Sequence, residues 1–150
     1  RVNILKGHLM KRIGSAHWAG DLKTGKGKLS TGSGALSGQP YGFNTRFADE
    51  KGTNPEELIG AAHAGCFAMA FSNELGQQGI VPEGIEARAE VELILKEGGF
   101  SITRSDIFLT LEAKGANRDA IQKALAAAEK GCPVSRALNV EIAVELTIKG

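Results

Sequence analysis

Two cysteines, Cys66 and Cys132, are the only thiols in the 150-residue chain, and they are its strongest candidates for covalent chemistry. A cysteine acts as a nucleophile only as a thiolate, so a reactive one needs a cation or N–H groups near its sulfur. Cys132 stands in Gly131-Cys132-Pro133-Val134-Ser135, where the start of a helix would supply such groups. Cys66 lies on an apolar segment that also carries Glu56 and His63. The alternative for both thiols is packing, because buried cysteine often behaves as a small hydrophobe.

The neighbours divide in the same way. Arg46, flanked by Phe43 and Phe47 in a glycine-rich region, could reach an anionic sulfur, or could be an ordinary exposed strand arginine. Glu56 could close a capping box with Thr53, or hold the Arg46 guanidinium in a bidentate pair. His63 precedes Cys66 by three residues and shares its helix face. A Cys–His pair would suggest acyl transfer, but side chains at this spacing stand side by side, which favours a packed or hydrogen-bonded histidine. No metal ligand set is expected. Neither cysteine lies in a C-x-x-C pair, and His63 with His17 or His8 has no supporting carboxylate or cysteine spacing. No glycine loop has the strand–glycine–helix context of a phosphate site.

The elements that must position these residues can be read from periodicity. A helix is expected from Asn54 to about Gly76, with Thr53 as N-cap and Pro55 in the first turn. From Leu58 to Phe71 it is almost uncharged, and a helix apolar on every side should be buried. Before it, 16–22 and 28–31 read as a β-hairpin, 32–42 as a loop holding at most a short strand, and 43–47 as a short strand or ordered loop. After it, Ala87, Ala89, Val91, Leu93 and Leu95 mark a strand, and 97–99 a turn. The return strand begins with Phe100 and Ile102 and continues with Ile107, Leu109 and Leu111. This change of parity calls for a bulge or break near Arg104-Ser105. Asn117 caps a second helix that ends at Gly131, Cys132-Pro133 opens a short one, and Val140 to Ile148 form the last strand. The order implies an α+β fold with mostly antiparallel sheet.

A net charge of +1 gives no electrostatic case for nucleic acid or an anionic membrane as partner. Two cysteines are too few for a disulfide scaffold, and no secretory signal pattern precedes the globular pattern, so a reducing cytoplasm is the expected compartment. Met10 reads as a natural start. Residues 1–9 are therefore expected to be an expression remnant or an extra N-terminal segment, and 10–150 a single domain.

Three segments, in order, carry a family resemblance: Gln39-Pro40-Tyr41-Gly42-Phe43-Asn44-Thr45-Arg46-Phe47, the helix from Gly52-Thr53-Asn54-Pro55-Glu56-Glu57-Leu58 to Cys66-Phe67, and Gly131-Cys132-Pro133-Val134-Ser135. Together they resemble the OsmC/Ohr family of osmotically inducible and organic hydroperoxide resistance proteins, from about Met10 to the C-terminus. Ala16-His17-Trp18 and Asn44-Thr45-Arg46-Phe47 place the resemblance on the OsmC branch.

The resemblance implies an antioxidant, stress-response enzyme: a thiol-dependent peroxidase that reduces organic hydroperoxides to alcohols. Cys66 would be the peroxidatic cysteine, passing through a sulfenic acid, and Cys132 the resolving cysteine that forms a disulfide with it. Arg46 would hold the thiolate and polarise the peroxide, and Glu56 would orient Arg46. No bound cofactor is implied; an external dithiol, of the lipoyl type, would reset the enzyme. The implied assembly is an intertwined homodimer, with mostly antiparallel sheets wrapped around long central helices and the sites at the subunit interface. Phe43, Phe47, Phe67, Met69 and Ile80 are candidates for the apolar substrate walls. Two other functions use the same residues: a redox sensor that switches by disulfide formation without turning over, and a hydrolase built on Cys66 and His63.

Overall fold

The computed structural model describes Gly7 and residues 9–150. The expectation for 1–9 therefore lies, apart from Gly7 and Leu9, outside the described residues, as does His8. The chain forms two compact units, one ending at Asn54 and one running from Pro55 to Gly150.

In the first unit, β1 (Gly14–Ala19), β2 (Lys26–Thr31) and β3 (Gln39–Tyr41) form an antiparallel sheet in that order. The expected hairpin turn is closed by Asp21. Its carboxylate accepts from the Thr24 N–H and hydroxyl, both at 2.7 Å, and its carbonyl accepts from the Gly25 N–H at 2.9 Å. Across the sheet the rings of Trp18 and Tyr41 pack with centroids 5.5 Å apart. Gly27 lies between them, and a Cβ there would collide with both rings.

Residues 43–47 are helical, where a strand or loop was expected; they form the single-turn helix α1 (Phe43–Phe47). The Thr45 hydroxyl accepts from the Gly42 N–H at 2.8 Å and donates to the Gly42 carbonyl at 3.0 Å, which satisfies the start of the turn locally. The helical spacing brings the Phe43 and Phe47 rings to 4.9 Å.

The second unit begins with α2 (Pro55–Gln77). Thr53 is not its cap in the expected way, since both its N–H and its hydroxyl go to the Pro40 carbonyl, at 3.0 and 2.8 Å. The expectation that α2 is buried all round also needs correction for the single chain. Glu56, Gly60, His63, Ala64, Phe67, Phe71 and Leu75 form one buried face at helical spacing. The opposite face, with Ala61, Gly65, Ser72 and a 77% exposed Met69, lies open.

The buried face meets a second sheet of order β4-β5-β6, formed by β4 (Gly84–Lys96), β5 (Gly99–Glu112) and β6 (Glu141–Lys149). β4 and β5 are antiparallel, whereas β5 and β6 are parallel and so need a crossover. The crossover contains α3 (Arg118–Gly131) and α4 (Pro133–Ala137). Asn117 caps α3 as expected, its side chain accepting from the Ala120 N–H at 3.0 Å. The parity change in β5 is a register shift: Glu92 faces Arg104 while Leu93 faces Ile102, leaving Thr103 as the extra residue. Beyond it Ser105, Ile107, Leu109 and Leu111 all face inward.

The core joins Phe67, Phe71 and Leu75 of α2 to Ile107, Leu109 and Leu111 of β5, and to Ile121, Ala124, Leu125 and Ala128 of α3. Each large side chain buried in this way stabilises by about 1.5–3 kcal/mol. Cys132 belongs to the same cluster. Among the described residues, no helix is long and apolar enough to cross a membrane.

The close ring contact over Gly27 makes Gly27→Ala a test of the first unit. The substitution should cost about 1–3 kcal/mol in chemical denaturation. It should also shift the emission of Trp18, the only tryptophan. Wild-type stability with unchanged emission would show that the rings do not pack across this glycine.

Candidate active site

The two thiols meet inside the second unit. Both cysteines are unbridged, and their sulfurs lie 3.4 Å apart in hydrogen-bond contact. A disulfide needs about 2.05 Å between sulfurs, so a small closure would suffice to join them. Two features of the chain bring this about. Cys66 projects from the side of α2, half-buried. Cys132 sits at the joint of α3 and α4, fully buried, its N–H ending α3 on Ala128 (2.9 Å) and its carbonyl accepting from Arg136 (3.1 Å). Pro133 at the first helical position lets α4 start immediately after the cysteine.

The environments of the two sulfurs differ. Burial pushes the Cys66 thiol above its usual range; the Val134 N–H works the other way, and the adjacent Cys132 adds to the rise. Burial also opposes a charge on Cys132. There, the nearby Ser135 hydroxyl and N–H, the Cys66 thiol and the Val134 N–H outweigh it, and the thiol is held below its usual range. A charge on Cys66 therefore needs a further stabilising group.

His63 is completely buried and does not serve Cys66. Its Nδ1 bonds the Ser105 hydroxyl at 2.7 Å and its Nε2 the Ser135 hydroxyl at 2.7 Å. This is the hydrogen-bonded histidine favoured by the sequence. With both ring nitrogens engaged it has none left to activate Cys66, which removes the geometric basis of a Cys66–His63 hydrolase. Among the described residues, no three of His, Cys, Asp and Glu gather as a metal ligand set.

Arg46, Phe43 and Phe47 belong to the first unit. They line a cleft of about 290 Å³ together with Trp18, Leu22, Tyr41 and Gly42, and the Arg46 guanidinium carbon lies 5.3 Å from the centroid of the Phe47 ring. The other candidates are in the second unit. Glu56 is buried in the first turn of α2, Phe67 is wholly within the core, Met69 is on the open face of α2, and Ile80 packs partly against the core. Sequence reading missed Ser105 and Ser135 as partners of His63, and Leu22 as a wall of the cleft. Ser105 left a trace, being the polar member of the run Ser105, Ile107, Leu109 and Leu111.

Burial lowers the pKa of His63 from its ordinary 6.5, so the folded protein keeps the ring neutral where the unfolded chain would take a proton. Its contribution to stability is complete above pH 6.5 and is lost as pH falls from there through the lowered value. The slope is at most about 1.4 kcal/mol per pH unit. The melting temperature should therefore drop between about pH 7.5 and about pH 5.5, with a smaller drop in His63→Gln. An equal drop in both proteins would show that His63 is not the titrating group.

The family model for OsmC-like protein matches residues 48–147. Peroxiredoxin OsmC of Escherichia coli is 49% identical over 136 residues, covering 91% of this chain and 95% of its own length. The crystal structure of the organic hydroperoxide resistance protein OhrB of Bacillus subtilis matches with a TM-score of 0.67 at 27% identity, over 91% of this chain and 98% of that one. An organic hydroperoxide resistance protein from Elizabethkingia anophelis shares the fold with a TM-score of 0.71 at 22% identity, over 96% and 99% of the two chains. With the α+β architecture and the match over most of its length, the chain belongs to the family of OsmC-like proteins.

Proposed function

We propose that this protein is a cysteine-based peroxidase that reduces organic hydroperoxides to alcohols. The observation that carries this reading is the 3.4 Å contact between a half-buried thiol, Cys66, and a fully buried one, Cys132. The more accessible sulfur can meet a peroxide while the other waits behind it. The relatives named peroxiredoxin OsmC and organic hydroperoxide resistance protein OhrB support the same chemistry.

In this mechanism the Cys66 thiolate attacks the distal peroxide oxygen. The S–O bond forms, the O–O bond breaks, and the leaving alkoxide takes a proton to become the alcohol. Cys132 then attacks the Cys66 sulfur. The S–S bond forms, the S–O bond breaks, and hydroxide leaves with a proton as water. An external dithiol, which we assign to the lipoyl type, reduces the disulfide by exchange and is itself oxidised.

Arg46 supplies what Cys66 lacks. Burial disfavours a charge on this sulfur, and a guanidinium beside it would reverse the preference and polarise the peroxide. Glu56 orients Arg46. The apolar cleft shared by Phe43, Phe47 and Arg46 supports a bulky, apolar substrate. In this reading Met69 and Ile80 complete the walls, and Phe67 backs them from the core. The protein acts as an intertwined homodimer in which the open face of α2, rich in small residues, packs at the centre. A reducing cytoplasm suits an enzyme whose disulfide must be transient.

The test is consumption of cumene hydroperoxide with dihydrolipoate as reductant. Wild type should turn over many times, Cys66→Ser not at all, and Cys132→Ser should take up a single equivalent per site. Arg46→Met should slow oxidation of Cys66 at neutral pH by about tenfold or more, the effect of losing a pKa shift of at least one unit. Wild-type turnover by Cys66→Ser would overturn the assignment, and a wild-type protein that stops after one equivalent would be a sensor.

A further inference from the structure

One large apolar side chain of the first unit has no task in its packing. Leu22 stands in the turn between β1 and β2, 65% exposed, with Asp21, Lys23 and Thr24 beside it in sequence. Turns favour small polar residues, and a leucine there adds nothing to a core. Yet the turn that carries it is held firmly. The Asp21 carboxylate takes the N–H and the hydroxyl of Thr24, both at 2.7 Å, and Gly20 adopts a φ of 98°, a conformation suited to glycine. At the end of the turn Gly25 lies so close to the Trp18 ring that a Cβ would collide with it. The turn backbone thus rests on this ring, whose Nε1–H donates to the Gly20 carbonyl at 3.0 Å.

So held, Leu22 lines the cleft that contains Arg46. The other side chains that line it are Trp18, Tyr41, Phe43, Phe47 and Arg46. Four of these are rings, and they come as two tilted pairs, Trp18 with Tyr41 and Phe43 with Phe47. Each ring is fixed by its partner, and aromatic faces and edges accept a further ring. At about 290 Å³ the cleft is at the small end of ligand sites, with room for about one substituted ring.

We infer that Leu22 is a specificity-determining residue and that the cleft takes an arylalkyl hydroperoxide. The peroxide oxygens face the Arg46 guanidinium, and the aryl group lies among the aromatic walls against Leu22. Asp21 is a positioning residue that acts through the turn. The inference rests on the peroxidase reading, in which Arg46 polarises the peroxide. A ring beyond the peroxide-bearing carbon reaches Leu22, whereas a hydroperoxide with only methyl groups on that carbon does not. The turn therefore sets the preference for size.

The experiment has two arms. In the first, Cys66→Ser is titrated with cumyl alcohol, the product left by cumene hydroperoxide, and the emission of Trp18, the only tryptophan, is read. The emission should change saturably, and tert-butanol should need about tenfold more to do the same. Adding Leu22→Ser should weaken cumyl alcohol about tenfold, the lower end of what one apolar contact gives in discrimination, and Leu22→Ile should retain it. In the second arm, on the two-cysteine protein, kcat/KM for cumene hydroperoxide is divided by that for tert-butyl hydroperoxide. This ratio should fall about tenfold in Leu22→Ser, fall in the same direction in Asp21→Ala, and hold in Leu22→Ile. Leu22 is exposed, so its variants keep the packing of the unit, and a loss of stability alone does not move a ratio of two substrates. An unchanged ratio with an unchanged midpoint in Leu22→Ser would overturn the inference, as would an equal loss for both hydroperoxides. Saturable binding in a protein that turns over no peroxide would refute the peroxidase reading and leave the preference of the cleft standing. Turnover without saturable binding of the alcohol would do the reverse.

Discussion

The contact of Cys132 with α2 is the constraint on which the second unit turns. Cys132 has to end one helix, begin the next and bury its side chain within the same three residues. It can do so because Pro133 needs no N–H partner at the start of α4, and because α3 is held against α2 by Phe67, Phe71, Ile121, Ala124 and Ala128. The distance between the sulfurs is therefore set by the packing of a core, and core packing resists change. A thiol pair on a loop would have to find its geometry at each turnover, whereas this pair is held at 3.4 Å while still reduced.

Burying two thiols carries an electrostatic cost, and the fold meets it unevenly. Both sulfurs lose solvent, but Cys132 collects the Ser135 hydroxyl and N–H, while Cys66 collects only the Val134 N–H against desolvation and its neighbour. Burial thus leaves the Cys66 thiol above its usual range. That rise gives Arg46 a defined task in the proposed mechanism. A cation there must offset the desolvation that disfavours a charge on Cys66. The demand also accounts for the residue type, because a planar guanidinium can be locked in orientation by a carboxylate, whereas a lysine ammonium is a mobile point charge.

Much of this was legible in the sequence, because local chemistry fixed it locally. Asn117 at the start of α3, Pro133 after Cys132, and the alternation in β4 and β6 each name their own structure. The parity break in β5 was visible within one residue of its place, as Thr103. What stayed hidden depended on contacts remote in sequence. The helical form of Phe43–Phe47, read from the sequence as a short strand or ordered loop, rests on a threonine hydroxyl that satisfies Gly42. The open face of α2 is also nearly uncharged between Leu58 and Phe71, so the lack of charge could not tell which side this chain covers. The partners of His63 come from positions 42 and 72 residues away, beyond any local pattern.

The bulge at Thr103 and the role of His63 are then one fact seen from two ends. Without the extra residue, the stretch of β5 before it would keep its register and the inward parity would not reach Ser105. With it, a serine takes a core position beside Ile107, which is costly unless it finds a partner. Only a side chain with polar atoms at both ends can satisfy this serine and still reach α4 across the helix. Imidazole does both with two ring nitrogens and one proton, and its burial keeps it neutral, so it donates at one end and accepts at the other. Replacing both Ser105 and His63 with apolar residues would give a core of similar packing, but the Ser135 hydroxyl would then lose its partner across the core. What the polar chain adds is a fixed link from β5 to α4 through His63, since buried polar networks add little stability over a well-packed apolar core.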